Sequence, residues 1–102
     1  MTEHLLQAEC ICVFRNEIER YGKGVIIPVL NELAAKRKDI IVCLGASDLI
    51  TITDVVRFNE LKVGYNSQSA VQIKFEKLVT SLGYEYNVVR SIEQFKKIHN
   101  IP

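Results

Sequence analysis

Long apolar runs, an excess of one charge and paired cysteines are all missing from this chain. No apolar stretch approaches the roughly 20 residues needed to span a bilayer, and the opening MTEHLLQAEC lacks the charged start and continuous apolar run of a secretory leader. The expectation is an intracellular protein with no membrane partner. Cys10, Cys12 and Cys43 are an odd set without a CxxC and without a histidine at ligand spacing, so they are expected to be core thiols. Thirteen Lys and Arg against 12 Asp and Glu leave a net charge of +1. A nucleic-acid partner would therefore have to be met by a local basic cluster, because phosphate binding draws on concentrated positive charge.

What is present is ordinary globular composition: 102 residues, 48% hydrophobic and 25% charged, without repeats or low-complexity tracts. A chain of this length has apolar surface for one core, so residues 1–102 are expected to form a single domain. From about His4 to Arg20, Leu5, Leu6, Cys10, Val13 and Ile18 recur at the spacing of a helix with one buried side, which Gly22 and Gly24 end. Val25, Ile26, Ile27 and Val29 read as a short buried strand, and Pro28 marks it as an edge or its end. Asn31 to Asp39 is polar and basic, a loop or short helix. Ile40 to Leu44 is apolar but interrupted by Gly45, either a strand or an extended approach to the next element. Ser47 to Thr53 and Val55 to Val63 alternate as a hairpin. A helix is expected from about Ser69 to Leu82, with Val71, Phe75, Leu78, Val79 and Leu82 facing the core and Gly83 as its C-cap. Tyr84 to Val89 reads as a strand. Ser91 opens a last short helix through the SIEQ capping box, with Ile92, Phe95 and Ile98 inward. The fold class is α/β, with a mixed central sheet of about four strands flanked by helices.

Register carries the chemistry, because a one-residue slip sends every side chain of a strand to the opposite face. A three-residue loop at Thr53, Asp54 and Val55 sets Ile52 opposite Val56, Ile50 opposite Phe58, and Asp48 opposite Glu60. A two-residue loop would set Ile50 against Arg57, a poor match for a half-buried sheet. The apolar pattern thus drives two carboxylates together, where they repel unless a cation or Lys62 lies between them. Lys62, two residues beyond Glu60, points to the same side. Such a group suits phosphodiester hydrolysis: carboxylate oxygens hold a hard cation that activates water, and an ammonium orients the water or the oxyanion.

The segments GASDLI at Gly45 to Ile50, ELK at Glu60 to Lys62, QSAVQ at Gln68 to Gln72 and GYEYNVVRSIEQF at Gly83 to Phe95 resemble the virus-type replication-repair nuclease (VRR-NUC) family of the PD-(D/E)XK nuclease superfamily. The chain is similar to phage-type stand-alone members from Gln7 onward. The resemblance implies a restriction-endonuclease-like core and a bacterial or phage-encoded, cytoplasmic endonuclease for DNA repair. It implies magnesium or manganese held by Asp48, Glu60 and the main-chain carbonyl of Leu61, with Lys62 catalytic. Gln72 matches the glutamine placed near the site, Glu9 the acid of the N-terminal helix, and Asn31 with Glu32 a polar pair following the first strand. Asn66 stands where the family usually has a glycine, and its tolerance of left-handed backbone would preserve the turn. Branched DNA, such as a Holliday junction or flap, and a homodimer are the implied partners.

Each assignment has a structural alternative. Asp48, Glu60 and Lys62 could be a salt-bridged trio in a non-catalytic nucleic-acid-binding or assembly module. Glu9 could be a helix-edge acid reaching water, and Gln72 could cap its own helix through the Ser69-Ala70-Val71-Gln72 box. Lys36, Arg37 and Lys38, with Asn31, are expected to contact nucleic acid, the three basic residues through phosphate, with a water-facing cluster as the alternative, and Lys74 with Lys77 could form a second patch. Tyr84 and Tyr86 are expected to pack, and His4 and His99 to lie on the surface.

Overall fold

A computed structural model describes residues 1–29 and 48–102. Helix α1 (Glu3–Glu17) starts where the Thr2 hydroxyl accepts from the Leu5 N–H, a cap for an otherwise orphan donor. It buries Leu6, Cys10 and Phe14 at a strict i, i+4, i+8 spacing. Leu5 is exposed instead, and Phe14 takes the place expected for Val13, which packs only partly against the core. A 3-10 turn (Glu19–Tyr21) follows and closes on Gly22, at φ 71° in the left-handed region.

Strands β1 (Val25–Pro28), β2 (Leu49–Ile52) and β3 (Val56–Leu61) pair antiparallel, β1 with β2 and β2 with β3. Helix α2 (Ala70–Ser81) then carries the chain to β4 (Glu85–Val89), which lies parallel to β3. The sheet order is β1-β2-β3-β4, so Pro28 sits on an edge strand of the described sheet, where its missing N–H breaks no interior ladder. Helix α3 (Ile92–Ile98) closes the chain. The fold is α/β: among the described residues, a four-stranded mixed sheet is flanked by helices on both faces.

Alternation along the strands divides the side chains cleanly. Ile26, Leu49, Leu61 and Val89 join Leu6, Cys10, Phe14 and Phe95 in the core under α1 and α3. Phe58 and Tyr86 point the other way and meet Phe75 of α2, with ring centroids 6.0 and 6.3 Å apart. The expected stripe of α2 is turned by part of a rotation: Val71, Leu78 and Leu82 are exposed, and Val79 is its buried residue. The sequence stripe gives the width of an apolar face but not its phase, and here Phe58 and Tyr86 set that phase through Phe75. Gly83, at φ 89°, ends α2 as expected, its N–H bonded to the Thr80 carbonyl.

His99 is a correction, since it is buried rather than on the surface, and His4 is exposed. The His99 Nε2 lies 2.8 Å from the Thr51 hydroxyl and its Nδ1 2.9 Å from the Phe95 carbonyl. With Nδ1 donating to that carbonyl, Nε2 accepts from Thr51, and Thr51 in turn accepts from the Asn59 amide at 3.0 Å. Burial lowers the His99 pKa below its ordinary 6.5. The unfolded chain therefore takes up a proton that the fold resists, so this histidine costs no stability above pH 6.5 and costs progressively more as pH falls towards the folded pKa. Urea unfolding at pH 7.5 and 5.5 should show a smaller acid loss in His99→Gln than in the wild type. An equal loss in both would assign the acid sensitivity to other groups.

The thiols are also sorted by the tertiary structure. Cys10 is buried, and burial followed by the charge of Glu9 pushes its pKa up to about 12, an inert core thiol. Cys12 is exposed, against expectation, and Cys43 lies outside the described residues.

Candidate functional site

The hairpin has the three-residue loop at Thr53 to Val55, with Ile52 paired to Val56, Ile50 to Phe58 and Leu49 to Asn59. Carried one step further, that register brings Asp48 to Glu60 at the end of the sheet away from the loop. The Leu61 N–H donates to Asp48 Oδ2 at 2.7 Å, fixing one carboxylate beside the other. Burial pushes the Asp48 carboxyl above its ordinary range. The Leu61 N–H draws it back, the charges of Glu3 and Glu60 raise it again, and Lys62 lowers it. Asp48, Glu60 and Lys62 therefore share one electrostatic neighbourhood.

Glu60 is fully buried. Its Oε1 accepts from the Tyr86 hydroxyl at 2.6 Å and from the Gln68 amide at 3.4 Å. Its Oε2 is buried with no hydrogen-bond partner among the described residues. Burial, and then the bond to Glu60, raise the Tyr86 pKa far above that of a free phenol, so the hydroxyl keeps its proton and donates. Gln68 also donates to Glu76 at 2.9 Å, and so bridges two acids.

A partnerless buried carboxylate oxygen beside a second carboxylate is costly by itself and fits a hard divalent cation. Among the described residues no three His, Cys, Asp or Glu side chains gather at ligand distance. The two carboxylates suit magnesium, which keeps several waters and takes only one or two acids from its protein.

The remaining sequence candidates lie elsewhere. Glu9 is exposed, and the helix acid whose charge reaches Asp48 is Glu3, half-buried at the start of α1. On the 3.6-residue period Glu3 falls close to the line of Leu6, Cys10 and Phe14, whereas Glu9 is turned well away from it. Gln72 caps its helix: its Oε1 accepts from the Ser69 N–H at 2.8 Å and its own N–H donates to the Ser69 hydroxyl at 3.3 Å. The glutamine at Glu60 is Gln68. In the SIEQ box the Ser91 half forms, but Gln94 Oε1 accepts from the Arg90 N–H rather than from Ser91. Asn66 is not left-handed; in that turn Gly64 is, at φ 61°. Asn31, Glu32, Lys36, Arg37 and Lys38 lie outside the described residues. Lys74 and Lys77 are exposed.

Tyr86 was visible in the sequence only as an alternating strand residue. Its bond to Glu60 needs β4 beside β3 in parallel register, with Phe58 opposite Tyr86 and Glu60 opposite Val88, a long-range pairing that no local pattern encodes. The other end of the sheet offers less: Arg57 is held by Glu85 at 2.8 Å and by the Thr53 hydroxyl at 3.1 Å. No family model matches the chain, and no curated protein or solved structure matches it. No helix among the described residues is long and apolar enough to cross a membrane.

Proposed function

We propose that the chain is a metal-dependent endodeoxyribonuclease of the VRR-NUC type, cutting branched DNA such as Holliday junctions or flaps as an intracellular homodimer. The observation that carries this reading is the Asp48 and Glu60 pair, with Glu60 fully buried and its Oε2 partnerless. Asp48, Glu60 and the Leu61 carbonyl would hold magnesium or manganese. When bound, the ion would lower the pKa of a water and neutralise charge on the phosphate. Lys62 would orient that water or stabilise the developing oxyanion. A two-fold pair would present two such sites to a two-fold junction.

The second reading is a non-catalytic nucleic-acid-binding or assembly module. It is favoured by the Leu61 N–H, which gives Asp48 a structural partner. A cleavage screen over duplex, flap and four-way DNA with either metal, alongside thermal melts with manganese, separates the two. The nuclease reading expects incision of branched substrates, and stabilisation of about 2.7 kcal/mol at 100 times the dissociation constant, lost in Asp48→Ala. No incision and no metal-dependent rise in melting temperature would leave the binding module.

A further inference from the structure

We propose that Tyr86 is a positioning residue for Glu60, its hydroxyl tying down Oε1 so that the partnerless Oε2 is the oxygen presented to a divalent cation. The inference rests on the nuclease reading and adds to it a residue outside the acid, acid and lysine set. A carboxylate can turn about its last torsion with little restriction, because that torsion is broad and roughly two-fold. A ligating oxygen that must be in place beforehand therefore needs something to stop that rotation. In this protein the stop is a 2.6 Å hydrogen bond from a phenol, reinforced by the longer 3.4 Å contact from Gln68. The two donors converge on the same oxygen and leave the other bare, although both oxygens belong to a fully buried side chain.

The supports are themselves held. Tyr86 stacks edge-on against Phe75 of α2, with ring centroids 6.3 Å apart at 60°. Gln68 is drawn away from Glu60 by its shorter bond to Glu76. Tyr86 is thus the principal clamp and Gln68 an adjustable one. Packing alone would ask only for a ring at this position. The hydroxyl, aimed at a carboxylate in the interior, is what the clamp requires and what packing does not.

The test is manganese binding to the full-length protein, followed by titration calorimetry and by the electron-paramagnetic resonance of free manganese, with no DNA present. Tyr86→Phe keeps the ring and removes only the donor. Outer groups that orient metal ligands typically set affinity by about 10–100-fold, and a loss in that range is expected for this variant. Gln68→Ala, at a half-exposed position outside the helices and strands, should fold normally and weaken binding in the same direction by less. Tyr84→Phe, an exposed tyrosine nearby, serves as the control and should bind as the wild type does. Far-ultraviolet circular dichroism checks each fold. If the wild type binds manganese and Tyr86→Phe binds it equally well, whatever Gln68→Ala does, the positioning role is overturned and the nuclease reading stands. If the wild type binds no manganese, the nuclease reading fails, and the positioning role with it.

Discussion

Under the proposed nuclease reading, Glu60→Gln is expected to lower DNA cleavage by at least about 100-fold while making the metal-free protein more stable. The two effects have one cause. Glu60 places a carboxylate in the interior with one oxygen partnerless, beside a second carboxylate whose protonation is already favoured by burial and by the charges of Glu3 and Glu60. Leaving a buried polar group unsatisfied costs about 1–3 kcal/mol, more when it is charged, and neutralising Glu60 also removes its repulsion with Asp48. The neutral amide keeps an oxygen for Tyr86. A gain of about 1–3 kcal/mol is therefore expected. In a domain of this size each kcal/mol moves the melting temperature by about 4–8 °C.

The sign of that shift decides between roles. A structural ion pair loses stability when one partner is removed, because the other is left uncompensated. A ligand site held ready for a cation gains stability when its repulsion is relieved. Melts of Glu60→Gln without metal, paired with turnover of the same preparation, read both quantities. A destabilised variant would point to a structural pair, and near-normal turnover would remove Glu60 from the site.

Phe14→Ala is expected to cost about 3–5 kcal/mol, a large share of the roughly 5–15 kcal/mol that holds a domain together. Phe14 is fully buried and stands at the centre of the core under α1. Its ring meets Phe95 edge-on at 6.5 Å and His99 at 5.6 Å and 87°, so its loss opens a cavity between α1 and α3. His99, which anchors the polar chain through Thr51 to Asn59, loses its ring contact there. Because α1 also brings Glu3 towards Asp48, the site should loosen along with the core. Urea unfolding gives the loss directly, with Phe14→Leu expected to retain most of the stability. A loss below about 1 kcal/mol for the alanine variant would mean that α1 contributes little to the core.

Local pattern in the sequence determined much of the framework. Alternation of Ile50, Ile52, Val56 and Phe58 around a three-residue loop sets the hairpin register, and that register alone delivers Asp48 to Glu60. Caps at Ser69 and Ser91 and the left-handed Gly83 mark the later helices, since each needs only its near neighbours in the chain. The tertiary structure decided what periodicity leaves free: how far a helix is rotated about its axis, and which strand lies beside which. The rotation of α1 chose Glu3 over Glu9, and that of α2 exposed Val71, Leu78 and Leu82. The capping box took up Gln72 and left Gln68 to reach Glu60. The parallel pairing of β4 with β3 brought Tyr86 to the same carboxylate, and the closing of α3 over the sheet buried His99 on Thr51. The rotations, the β3–β4 pairing and the burial of His99 depend on contacts between segments far apart in the chain, and a pattern read along one segment contains no term for its partner.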